Sequence, residues 1–168
     1  MHSMEELWQH IKKNQPELKN QLLPGASLIE IQSMEDLLGI EFPISFKDCY
    51  LIHNGLAQSR FIDYWRLFPL KEILEIWTYC KKLRVLDDFN NEYKWNLKWI
   101  PFGSNMSGNL ICLNLDPTTE DAENVPEGLS RFGELFIYFQ DEKRVVSQNV
   151  EFHEWFEDFL GYFDDLER

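Results

Sequence analysis

The sequence predicts an α+β fold in one domain, a mostly antiparallel sheet packed with N-terminal helices and a C-terminal amphipathic helix, and three observations predict it. The periodicities run in the order three helices, strand, helix, strands, helix, an order that segregates helices from strands. The stretch Trp99–Pro117 joins a rigid proline, glycines and an apolar strand. The last segment carries Phe152, Trp155, Phe156, Phe159, Leu160 and Phe163 at helical spacing, backed by Glu151, Glu154, Glu157 and Asp158. A chain of 168 residues, 44% hydrophobic, can bury a sizeable core, and no shift in composition divides it, so residues 1–168 are read as one domain.

Taken in order, Ser3-Met4-Glu5-Glu6 has capping-box spacing, and Leu7, Trp8 and Ile11 follow on one face of a short first helix. After the break at Pro24-Gly25, Ser27 and Glu30 repeat the box. Ile31, Met34, Leu37 and Leu38 then form the apolar stripe of a second helix that Gly39 closes. Pro43 opens a third helix where its missing N–H is no loss, and Ile44, Phe46, Cys49, Tyr50 and Ile52 lead to a stop at Asn54-Gly55. Arg60 to Phe68 alternates as a strand; beyond Pro69, Leu70, Ile73, Leu74, Trp77 and Cys80 return to helical spacing. Asp87 to Lys98 has no clear period and reads as a loop or short edge strand.

From Asn109 to Leu115 both alternating faces are largely apolar, which marks an interior strand. Gly103 and Gly108 frame a polar loop suited to a hairpin or bulge, and Asp116-Pro117 ends the strand. The segment after Pro117 has four carboxylates and reads as an exposed loop outside the core. Leu135, Ile137 and Phe139 alternate with Phe136 and Tyr138, and the charged run Asp141–Arg144 turns the chain into Val145-Val146, a hairpin. The closing helix is expected to begin near Asn149.

Lys and Arg number 16 against 29 Asp and Glu, and 16 − 29 gives −13, a balance that repels nucleic-acid phosphates and anionic membranes and suits a basic partner. Solubility alone also accounts for acidic chains. Cys49, Cys80 and Cys112 are odd in number, far apart and set in apolar segments, so they read as buried small hydrophobes. No leader-like segment and no run of eighteen apolar residues is present, and a reducing cytoplasm is the expected location.

Candidate chemistry is sparse. Cys49 and His53 stand four apart, the spacing of a metal pair or a thiolate–imidazole pair, yet no further ligand or orienting residue accompanies them. Asp116, Glu120, Asp121 and Glu123 cluster around one loop without the alternating donors and glycine of a calcium loop. Gly103-Ser-Asn-Met-Ser-Gly108 lacks the Lys-Ser/Thr pair of a phosphate loop and precedes a strand. The aromatics lack basic interleaving and are read as core. No cofactor or metal is expected.

Three blocks stand in order along the chain. The first is Ile31-Gln-Ser-Met-Glu35 with Leu38-Gly39 and then Phe42-Pro43-Ile-Ser-Phe46 through to Asn54-Gly55. The second is Trp99-Ile100-Pro101-Phe102 with Gly108 and the strand to Asp116, and the third Gly133-Glu-Leu-Phe-Ile-Tyr with the aromatic helix. In this order they resemble the SUKH superfamily of fungal cell-wall-synthesis regulators and bacterial immunity proteins, with Phe42 where leucine is commoner. Together they span roughly residues 27 to 160; the acidic stretch from Thr118 to Arg131 is longer than the family pattern. The resemblance implies a non-enzymatic binding domain, an immunity protein that neutralises a cognate toxin, often a nuclease, with Asp116, Glu120, Asp121 and Glu123 as candidate contacts. Glu35, Pro43, Asn54, Gly55, Pro101, Gly108 and Asp116 are implied as motif residues that mainly hold the fold, Asp116 being the one most expected at the surface. The rival readings are a regulatory or scaffolding domain like the fungal relatives, and a small hydrolase using Cys49 or the acidic loop.

Overall fold

A computed structural model describes residues 2–57, 65–85, 95–120 and 128–158. The helices are α1 (Met4–Asn14), α2 (Leu28–Leu38), α3 (Ile44–Ile52) and α4 (Leu70–Val85), with a last helical stretch, α5, at 152–158. Strands β1 (Trp65–Leu67), β2 (Trp99–Asn105), β3 (Leu110–Asn114), β4 (Glu134–Phe139) and β5 (Arg144–Glu151) form one antiparallel sheet in the order β1-β2-β3-β4-β5. The α+β class and the element order expected from the sequence are both present.

Local chemistry explains most of the boundaries. Ser3 accepts from the Glu6 amide at 3.2 Å while Glu6 accepts from the Ser3 amide at 3.1 Å, the full capping box. At α2 only the Ser27 half is made, from the Glu30 amide at 3.1 Å, and Gly39 at φ 68 ends the helix. Asn54 does not cap its own helix. Its Oδ1 accepts from the Leu70 amide at 2.9 Å, so the residue that follows α3 satisfies the start of α4. Gly55 then takes φ +74 with the Phe68 and Pro69 backbone 2.6 Å from where a Cβ would stand.

The core centres on α3. Phe46 stacks between Phe42 (ring centroids 4.5 Å) and Tyr50 (4.4 Å) and meets Phe102 and Phe152 edge-on at 5.8 and 5.1 Å. Trp8 brings α1 in, donating its indole N–H to the Cys49 carbonyl at 3.1 Å and meeting Phe156 at 5.1 Å. Each such aromatic pair adds about 0.5–1.5 kcal/mol beyond area burial, so the cluster outweighs any single helix cap at about 1 kcal/mol. On the other side of the sheet Cys112 and Tyr138 lie near Cys80 of α4.

Several expectations are corrected. Gly103 belongs to β2, beside a bulge between Pro101 and Gly103, and a Cβ there would meet the Arg66 carbonyl at 2.8 Å and Ile111 at 2.9 Å. The bulge leaves Phe102 out of the pairing register and fully buried among Phe46, Phe152 and Trp155. The last helix starts at residue 152, because β5 runs on through Glu151 opposite Glu134. The stretch after Pro117 does reach the core: Thr119 is buried and hydrogen-bonds the buried Asn114 amide at 3.0 Å. Leu37 and Ile44, assigned to apolar stripes, stand exposed. The strand expected from Arg60 is described only from Trp65, and of the 87–98 segment only Trp95–Lys98, with Trp95 buried. Phe159, Leu160 and Phe163 lie outside the described residues.

Two outcomes follow from this packing. Gly55→Ala and Gly108→Ala both force alanine to a positive φ, but nothing lies within 4 Å of the position a Cβ would take at Gly108. Gly108→Ala should cost about 1 kcal/mol and Gly55→Ala at least about 2 kcal/mol more in chemical denaturation, the excess measuring the contact with the Phe68–Pro69 backbone. Equal losses would mean that the contact is relieved at no cost. The second concerns His53, whose Nδ1 lies 3.0 Å from the Leu23 carbonyl while Nε2 is buried without a partner among the described residues. Burial holds its pKa below the ordinary value; the Leu23 bond opposes this, Lys12 adds to the lowering and Glu5 opposes it. The unfolded chain therefore takes up the proton first, and stability present above about pH 6.5 is lost as pH falls through the folded-state pKa. Urea midpoints at pH 7.5 and 5.5 should fall further for the parent than for His53→Gln, and equal falls would remove His53 as the cause.

Candidate functional site

The corner between α2 and α3 is held by one carboxylate. Glu35 Oε2 accepts from the Phe42 amide at 2.8 Å and lies 3.3 Å from Lys47 Nζ, so the side chain bridges the end of α2 to the start of α3. The bond from a neutral amide to a charged acceptor is worth about 1.5–3 kcal/mol, more than the partly exposed ion pair at about 1 kcal/mol or less. Lys98 reaches from the strap before β2 to the Gly39 carbonyl, which joins the same corner to the sheet. Pro43 is the N-cap residue of α3, and Phe42 behind it is buried.

Around this frame the surface is concave and continuous. One hollow lies between α2 and the end of the sheet near Leu115, Pro117 and Phe132; a second lies beneath Ile44 toward Glu151; a third runs along α2 from Leu28. Glu41 borders all three, and its side chain is 85% exposed, 3.5 Å from Lys47. Of the seven large apolar side chains exposed among the described residues, Leu28, Ile44 and Phe132 line these hollows. Sequence reasoning missed this surface because it assigned Ile44 to the core. The available signal was that α2 carries more apolar residues than one buried stripe of an eleven-residue helix can use.

The loop residues singled out from the sequence are placed differently. Asp116 is half-buried and its carboxylate is engaged: Oδ1 accepts from the Thr118 amide at 3.0 Å and hydroxyl at 2.8 Å, and Oδ2 from the Asn96 amide group at 2.7 Å. It thereby caps the short 3₁₀ turn Pro117–Thr119. Glu120 follows that turn and is exposed; Asp121 and Glu123 lie outside the described residues. Among the motif residues, Asn54 and Gly55 join α3 to α4, Pro101 is buried at the bulge, and Gly108 turns β2 into β3 at φ +80.

The thiols offer no nucleophile near neutral pH. Burial pushes Cys49 far above the ordinary thiol range, against a smaller opposing hydrogen bond from Trp8, with Asp48 adding to the rise. Burial likewise pushes Cys80 up to about 12, and raises Cys112 well above its ordinary value with Cys80 adding to it. His53 turns its ring to Leu23 and Trp8. Among the described residues no three His, Cys, Asp or Glu gather as a metal site, and no helix is long and apolar enough to cross a membrane.

Comparison with family models matches residues 25–160 to the SMI1 / KNR4 family (SUKH-1). No curated protein matches the chain. The matched span opens at residue 25 and ends at 160, against roughly 27 to 160 for the three blocks quoted above, and it contains the α2–α3 corner, the bulged strand and the whole sheet. The chain belongs to the SMI1 / KNR4 family (SUKH-1).

Proposed function

We propose that this chain is an immunity protein: it binds a cognate bacterial toxin, a basic nuclease domain delivered by a polymorphic secretion system, and neutralises it without doing chemistry of its own. The observation that carries this reading is the charge balance of −13 in a member of this family. A nuclease cleft is built for phosphates, so an acidic protein is drawn toward it and occupies the place of the nucleic acid. The raised thiol pKa values agree with a role in binding rather than covalent catalysis.

The acidic stretch after β3 has a place in this reading. Asp116 holds its own turn, which leaves Glu120, Asp121 and Glu123 to act on encounter, at long range, rather than as fixed contacts. Attraction of that kind is screened over about 8 Å at physiological salt.

The direct test is co-expression with the toxin domain encoded beside the gene. Cells should survive in its presence, and purified toxin should lose nuclease activity on addition of this protein alone, with no metal or nucleotide supplied; death with every neighbouring toxin domain sinks the reading. Combined Glu120→Gln, Asp121→Asn and Glu123→Gln should slow toxin association roughly ten-fold at low salt and converge with the parent at high salt. An unchanged low-salt association rate removes this stretch from steering.

A further inference from the structure

The proposed function does not say where the partner sits, and the acidic stretch after β3 supplies attraction rather than a mould. We propose that the toxin docks in the trough centred on Glu41, between α2, the start of α3 and Phe132, through a basic segment that carries an apolar side chain between its cations. This inference rests on the immunity reading and names the surface that performs it.

Three features of the trough argue for that occupant. The first is exposed apolar area in a concave setting: Leu28 is 67% exposed, Ile44 77% and Phe132 38%, and each borders one of the linked hollows. Isolated exposed apolar residues need no explanation, but three of the seven among the described residues line these adjoining hollows. The second is charge. Asp36, Glu41 and Glu151 line the hollows with no cation paired to Asp36 or Glu151 among the described residues. Lys47 is shared by Glu35 and Glu41, and Lys98, bonded to the neutral Gly39 carbonyl, keeps its charge, so the lining holds four carboxylates against two lysines. The surface thus presents uncompensated negative charge around apolar anchors, the complement of a cationic segment with an apolar residue in it.

The third is rigidity. Glu35, the Phe42 amide, Lys47 and Lys98 tie the chain at 39–43 to both helices and the sheet, and Phe42 is locked in the core stack. A partner therefore meets Glu41 and Ile44 on a preformed backbone, and little ordering free energy is lost on binding.

The experiment uses the full chain and the catalytically inactivated toxin domain encoded beside its gene. Ile44→Ser and Glu41→Lys alter exposed side chains, and thermal unfolding should stay at the parent value. Ile44→Ser should raise Kd about 30-fold or more, chiefly through faster dissociation that persists at high salt. Glu41→Lys should raise Kd about ten-fold or more. Met106→Ser, in the turn between β2 and β3 at the other end of β3 from Leu115, should leave Kd unchanged; Met106 is 73% exposed. A photo-crosslinking residue placed at 44 should join covalently to the toxin, and one at 106 should not. Parent-like affinity of Ile44→Ser and Glu41→Lys, or crosslinking at 106 but not at 44, overturns the trough and leaves the immunity reading standing. A parent protein that binds none of the toxin domains so encoded overturns both.

Discussion

Phe46 is the residue on which the rest of the molecule leans. Fully buried, it touches Phe42 and Tyr50 on its own side and Phe102 and Phe152 across from it, so one ring contacts the helical layer, the sheet and α5. Tyr50 extends the arrangement: its hydroxyl donates to the Phe68 carbonyl at 2.6 Å, and the Phe68 amide donates to the Phe102 carbonyl at 2.8 Å. Side-chain stacking and backbone pairing thus converge on the bulge in β2. Removing a buried aromatic of this kind costs about 3–5 kcal/mol, a large share of the stability of an ordinary domain.

The polar residues that look functional in the sequence are used inside the fold. Glu35 closes the α2–α3 corner, Asn54 starts α4 and Asp116 caps the turn after β3, each accepting from a backbone amide; at the buried Phe42 and Leu70 that amide would otherwise be left unpaired. Their chemistry is that of structural acceptors. Glu41 and Ile44 stand on that frame with their side chains exposed, on either side of the buried Phe42.

The fold was legible where a local rule decides the outcome. Capping at Ser3, the left-handed Gly39, the break at Pro69 and the alternation of Leu110–Asn114 all act within a few residues, and each appears as read. The misreadings share a different cause. Ile44 and Leu37 are apolar at helical spacing, and only the tertiary arrangement decides that no neighbour covers them. Asn149 takes φ 56 within β5, and Glu151 pairs with Glu134, so the strand outlasts its apolar pattern because a partner strand is present. Thr119 is polar yet buried because the Asn114 amide group needs an acceptor. The candidate docking surface was the least legible part, since exposed and buried apolar stripes use the same side chains and differ only in what lies opposite.

The bulge at Pro101–Gly103 also governs how the chain tolerates changes of length. In a plain strand the residues alternate sides, and adding one turns every later side chain over; in β2 that extra residue is already present as Phe102, and its ring fills the centre of the core. A second insertion between Trp99 and Gly103 would turn Ile100 or Phe102 toward the opposite, already filled face of the sheet, and a deletion would leave an aromatic-sized hole. The turn at Met106–Gly108 is exposed and sets no core side chain, so it can lengthen without such a penalty. A change of length in this chain is therefore costly in the first half of β2 and cheap in the turn that follows it.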